Sequence, residues 1–220
     1  MTDPWTRVRI VFGKAGRLRF LGQLDLGRTL DRALRRSRIP VRFSEGFNPR
    51  IRMSFPCASP TGMASLCEIV EVQVAPPTGA AEVAAALRGA LPPDLPVHGA
   101  EVVGEGESLR LVAARYAVAP REGGPAVPGA EALAALLARD EVPVVRRGRT
   151  MDLRPLLLDL RREGPELRVR LRFLETGATA RPEDLLRALG ADPAAFAVER
   201  RGMTVRCGRA GGGIEREHGA

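Results

Sequence analysis

The sequence predicts an α+β chain of two tandem ferredoxin-like units, each of order β-α-β-β-α-β with an antiparallel sheet. Three observations predict it. Hydrophobic periodicity switches repeatedly between two residues and a helical turn. The element order of residues 1–104 returns approximately over residues 105–205. A chain of 220 residues that is 45% hydrophobic can fill two cores of about 100 residues each.

In the first unit, Val8, Ile10 and Phe12 alternate with Arg7, Arg9 and Val11, the pattern of a strand with one buried face and with Arg7 and Arg9 pointing out. Gly13-Lys14-Ala15-Gly16 reads as a hairpin turn, after which Arg17 to Phe20 alternates again. This glycine-lysine stretch lacks the spacing of a phosphate loop and precedes a strand, not a helix. From Leu24 to Ser37 the period becomes helical, with Leu24, Leu30, Ala33 and Leu34 on the apolar face. Strands are expected at Val41–Phe43, Ile51–Phe55 and Leu66–Val74. A helix capped by Thr78 then runs to Ala90, and a closing strand from Pro96 to Val103.

The second unit opens with a strand near Leu109–Ala119 and a helix from Pro128 to Arg139. Strands follow at Val142–Arg146, Leu153–Arg161 and Leu167–Phe173, with Gly164-Pro165 as a turn. A last helix starts with Pro182, places Glu183 and Asp184 at its positive end, and stops at Gly190. Phe196–Val205 supplies the closing strand, and the glycine-rich tail 206–220 is expected to be disordered.

Charge is distributed unevenly. Residues 1–55 hold 13 basic side chains against four acidic ones, whereas the whole chain has a net charge of +8. Six of the nine aromatic residues fall in the same stretch. A basic, aromatic-rich quarter beside a neutral remainder points to a surface that faces a polyanion. No apolar run is long enough to cross a bilayer and the N-terminus lacks a signal-like stretch, so a cytoplasmic protein without membrane contact is expected. Cys57, Cys67 and Cys207 form no CxxC pair and read as reduced thiols. With His98 and His218 isolated from nucleophiles and carboxylates, neither a catalytic triad nor a metal set is visible, and no cofactor is expected.

The densest motif is Ser44-Glu45-Gly46-Phe47-Asn48-Pro49-Arg50-Ile51-Arg52. Gly46 and Asn48-Pro49 mark a sharply turning loop, beyond which Arg50 and Arg52 share one strand face. Guanidinium forks bind phosphate and a loop phenylalanine stacks on bases, a combination suited to single-stranded RNA. Lys14, Arg42, Ser44, Glu45, Phe47, Asn48, Arg50 and Arg52 are therefore the candidate RNA- or partner-binding residues. A helix face of Asp25, Arg28, Arg32 and Arg35 offers a second basic row. Its intrahelical pairs also have an ordinary structural reading, each stabilising by about 0.2 to 0.5 kcal/mol.

Several segments resemble the bacterial radical SAM-linked family that carries the DUF2344 domain. They are Arg17-Leu18-Arg19-Phe20-Leu21, Leu24-Asp25-Leu26, Arg32-Ala33-Leu34-Arg35-Arg36, Ile39-Pro40-Val41 and, most specifically, Ser44 to Arg50. Later matches are Gly62, Ser65 and Glu68, and weaker ones in the second half are Asp152-Leu153-Arg154-Pro155 and Arg181 to Leu186. The resemblance implies a domain encoded beside or fused to a radical SAM protein, in a genomic setting of ribonuclease and ribosomal-protein genes, with no assigned catalytic residues. Where family members commonly carry Ser-His before Leu-Asp, this chain has Gly22-Gln23. The expected function is that of a non-catalytic accessory protein. Its partners would be a radical SAM protein and RNA or a ribosome-associated ribonucleoprotein. Two alternatives stand beside it: a protein-interaction module without RNA contact, and a metal-independent RNA-modifying enzyme using Asp25 or Ser44.

Overall fold

The alternation of Val8, Ile10 and Phe12 builds strand β1 (Thr6–Lys14) in the computed structural model, which describes residues 5–146, 148–175, 179–208 and 213–219. The chain divides into two compact units. The first runs to Arg110 and takes in Arg206–His218; the second spans Leu111–Val205. Among the described residues there are four α-helices, and the strand pairs with a defined register are antiparallel.

In the first unit, β1 lies between β3 (Ala64–Val74) and β4 (Val97–Val102), and the short β2 (Met53–Ser54) pairs with the far edge of β3. The spatial order is thus β4-β1-β3-β2. Helices α1 (Gln23–Ser37) and α2 (Ala80–Ala90) cover one face, where Leu26, Leu30, Leu34, Val83 and Leu87 bury Val8, Ile10, Phe12, Val70 and Val72. Burial of each such side chain stabilises the fold by about 1.5 to 3 kcal/mol before entropy is counted.

Several local expectations for this unit are corrected. Leu26, not Leu24, completes the apolar stripe of α1, and Leu24 is 76% exposed. The Gly13–Gly16 stretch is no hairpin: the Gly13 and Ala15 amides donate to the Pro96 and Asp94 carbonyls at 2.8 and 2.9 Å, so the strand stays paired. Gly16 then turns with φ +49°, and Gly16–Phe20 winds into a 3₁₀ helix where a strand was expected. Thr78 does not cap α2, whose N-cap is Gly79 without a side-chain bond. Arg9 does not point to solvent but is sealed by acidic residues on both neighbouring strands.

The second unit contains β5 (Ser108–Pro120) from Leu111 onward, α3 (Ala130–Leu137), a hairpin of β6 (Pro143–Arg146) and β7 (Arg149–Asp152), β8 (Leu157–Glu163), β9 (Glu166–Arg172), α4 (Pro182–Ala188) and β10 (Phe196–Gly208) as far as Val205. Its strand order is β10-β5-β9-β8. Tyr116, Val118, Leu160, Leu167, Val169 and Leu171 bury one face of this sheet, and Leu133, Leu136, Leu185 and Leu186 of the helices are buried as well. Helix α4 begins as its sequence dictates: Asp184, almost fully buried, accepts from the Arg181 amide at 3.0 Å and pairs with Arg146 at 3.3 Å.

The expected strand Leu153–Arg161 is interrupted. Asp152 accepts from the Val142 and Arg154 amides at 2.8 and 2.9 Å, and Pro155 sits in a 3₁₀ turn, so β8 begins only at Leu157. The tail read as disordered instead continues β10 to Gly208 and forms β11 (Ile214–Gly219). Arg206 pairs with Glu215 at 2.8 Å and Arg216 with Glu101 at 2.7 Å, contacts that a glycine-rich composition concealed. Residues 209–212 and 220 of that tail lie outside the described residues.

Candidate nucleic-acid interface

The Ser44–Arg50 loop is the tip of a small hairpin. Phe43 bridges Ile51, the Ser44 amide donates to the Arg50 carbonyl at 2.8 Å, and the Arg50 amide donates back to Ser44 Oγ at 3.0 Å. The Arg52 amide donates to the Arg42 carbonyl at 2.9 Å, and the Arg42 amide donates to Gln73 on β3 at 2.8 Å. Gly46 turns the tip with φ +119°, a conformation that L side chains rarely adopt. Glu45, Phe47 and Asn48 stand in solvent at this apex, and Phe47 is fully exposed.

Beside the hairpin, α1 and the Arg50–Phe55 segment enclose a groove of about 530 Å³. Its apolar surface comes from Leu24, Gly27, Ile51, Met53 and Phe55, and its rim from Arg28, Arg32, Arg35 and Arg50. A Cβ on Gly27 would lie in ordinary contact with the Phe55 ring at 3.8 Å, so a longer side chain there would project into the groove. Concave apolar surfaces of this size with a few polar groups at the edge are the usual form of a ligand site.

The arginines of this region fall into two classes. Arg28 is paired with Asp25 at 2.9 Å, and Arg35 with Asp31 at 2.6 Å while lying 4.9 Å over the Phe43 ring. Arg42 donates to Gln73 Oε1 at 3.3 Å and lies 5.9 Å over Trp5. By contrast, the guanidiniums of Arg32, Arg50 and Arg52 have no partner among the described residues. Their charge is available to a ligand.

The structure does not bring all the sequence candidates together. Arg50 and Arg52 do not share one face: Arg50 rims the groove on α1, while Arg52 lines a separate hollow of about 310 Å³ with Arg7 and Glu71. Lys14 is 1% exposed and donates to the Pro60 carbonyl at 3.3 Å, so it is not a phosphate contact. Ser44 is occupied in holding the hairpin and Asp25 in pairing with Arg28.

Sequence reasoning missed the groove's apolar surface. Leu24, Gly27, Arg28, Asp31, Arg32 and Arg35 recur at helical spacing as one strip of α1, a pattern that in sequence looks the same as a core stripe beside a solvated face. It also missed the buried ion network around Arg9. Arg9 donates to Glu71 at 2.7 Å, Glu107 at 3.0 Å and Glu101 at 3.1 Å, and also to Cys207 Sγ at 3.3 Å. Burial opposes the Arg9 charge, but the hydrogen bonds and charge of Glu71 outweigh it and raise its pKa. Burial likewise pushes the Cys207 thiol up, against the pull of Arg9.

The model of one bacterial family, DUF2344, described as an uncharacterised protein conserved in bacteria, matches residues 7–183. That span covers the first unit's β1 to β4, the hairpin and groove, and ends in the first turn of α4. No curated protein matches the chain. No helix among the described residues is long and apolar enough to cross a membrane.

Proposed function

We propose, from the premise that this chain belongs to the DUF2344 family, that it is an accessory protein whose N-terminal unit binds single-stranded RNA or a ribonucleoprotein. The observation that carries this reading is the groove on α1, where an apolar surface meets the unpartnered guanidiniums of Arg32 and Arg50. A base fits against Phe55 and Met53, and phosphates fit the rim. We read both units as variants of the ferredoxin-like arrangement, supported by their equivalent strand orders, β4-β1-β3-β2 and β10-β5-β9-β8. A radical SAM protein in the cytoplasm is the proposed partner; that part rests on the sequence resemblance alone.

A second reading is favoured by Phe47. A fully exposed aromatic at the apex of a pinned hairpin suits insertion into a protein pocket, so the hairpin tip is the proposed contact with the enzyme partner.

Fluorescence anisotropy with a single-stranded RNA tests the first reading. Replacing Arg32 and Arg50 together by Gln is expected to reduce the slope of log affinity against log salt by about 1.4, at about 0.7 per phosphate contact. Gly27→Leu is expected to fill the groove and weaken binding without altering that charge. Unchanged affinity and slope in both variants would overturn the reading. Phe47→Ala is expected to spare RNA binding and abolish co-purification of the enzyme partner after nuclease treatment.

A further inference from the structure

The linear charge count assigns the C-terminal unit no basic surface, yet its sheet carries one. Strand β9 alternates strictly: Leu167, Val169 and Leu171 are buried, and Arg168, Arg170 and Arg172 occupy the opposite face. The neighbouring strands add arginines in register. Arg115 of β5 stands opposite Arg170, and Arg161 of β8 stands opposite Arg168. This face thus contains two directly opposed arginine pairs, with Asp159 of β8 opposite Arg170 on its other side.

These arginines are held in place. A Cβ on Gly202 would lie 2.5 Å from Arg115 Nη2 and 3.0 Å from its Cζ, so the Arg115 fork rests against bare backbone. Arg170 donates to the buried Thr204 hydroxyl at 3.2 Å. Arg168 is paired with Glu163 at 2.5 Å and Glu166 at 3.1 Å, both at the turn end of the hairpin. Arg161 pairs with Asp159, and Arg201 with Glu199 and Glu166. The resulting hollow of about 560 Å³ is lined by Arg115, Arg161, Arg168, Arg170 and Arg201, with Asp159 as the one carboxylate in its lining.

We propose that this face of β5, β8 and β9 is a second nucleic-acid site that takes the phosphates of a single strand without reading its bases. Five oriented guanidiniums around one hollow, with a single carboxylate in its lining, match several phosphates. Tyr116, the one aromatic in the lining, is buried, so no stacking platform for bases is offered. The site stands independently of the groove on α1 and of the reading attached to it.

The test uses the full chain with fluorescent oligouridine over a range of salt. Replacing Arg161, Arg168 and Arg201 together by Gln is expected to lower the salt slope by about 2, and the Arg32/Arg50 double variant is expected to retain that component. Arg161→Glu, at a side chain 62% exposed and so safe for folding, is expected to weaken binding about tenfold, as loss of one charge-assisted contact does. Gly202→Ala, which displaces the Arg115 fork and removes no charge, is expected to weaken it as well. Salt slope and affinity equal to the unaltered protein in these variants overturn the proposal. So does binding of inorganic tripolyphosphate without any binding of oligouridine. Loss of slope in the triple variant but not in the Arg32/Arg50 variant supports this site while failing the groove on α1.

Discussion

Both units place arginine on the sheet face away from their apolar core, with opposite results. Arg9 of β1 meets Glu71 on one neighbouring strand and Glu101 on the other, each directly opposite, and it is 0% exposed. Arg168 of β9 stands opposite Arg161, Arg170 lies between Arg115 and Asp159, and both remain partly open. The number of carboxylates that the register places opposite separates the two outcomes. Where carboxylates stand opposite on both sides, the guanidinium is buried by the fold; on β9 the carboxylates Glu163, Glu166 and Asp159 pair from the hairpin itself and the guanidiniums stay partly exposed.

The strongest way to break this comparison is Arg9→Met. Glu71, Glu101 and Glu107 lose their common partner, and a loss of about 3 to 5 kcal/mol is expected in urea unfolding. If Glu71→Gln is added, part of that loss is expected to return, because one buried charge is then removed. In the second unit a much smaller change is expected. Arg161→Glu places an acid opposite Arg168 but gives up the exposed pair with Asp159, so stability is expected to shift by less than about 1 kcal/mol while nucleic-acid binding weakens. Equal destabilisation by both substitutions would remove the distinction between the two faces.

A smaller effect is expected from His218, whose pKa is lowered mainly by burial, with Arg9 and Arg216 adding to the shift and Glu101 opposing it. The folded chain therefore resists a proton that the unfolded chain accepts near the ordinary histidine value of about 6.5. Stability is expected to be full at neutral pH and to fall as pH drops through that value, with amide exchange in β11 accelerating. His218→Gln is expected to flatten this dependence. The smallest effect belongs to Phe47→Ala, which is expected to leave the melting temperature unchanged because the ring touches only solvent.

Much of the architecture was legible because periodicity reports directly on burial: β1, α1, β3, β9 and α4 follow from their apolar spacing. What was hidden depended on partners distant in sequence. Nothing in the local pattern of Arg7 and Arg9 distinguishes an outward arginine from one met by Glu71 and Glu101. The same holds for Lys14, whose ammonium is met by the Pro60 carbonyl, 46 residues further along the chain. The Ser44–Arg50 loop was recognisable as a tip by Gly46 and Asn48-Pro49. Its partition of Arg50 from Arg52 was not, since it depends on which side of the hairpin α1 lies. The β9 arginines were diluted in a linear count by acids such as Glu163 and Glu166, which cluster at the hairpin turn.

Lys14 is the chain's only lysine, and it is buried. The permanently charged side-chain cations at the surface are therefore all guanidiniums, which hold their charge throughout the physiological range. A surface of this kind cannot be tuned by side-chain acetylation, the usual means by which cells neutralise a nucleic-acid-binding face. Amine-directed crosslinkers will likewise report Lys14 as silent in the folded protein, so its sudden labelling would serve as a sensor of opening of the first unit.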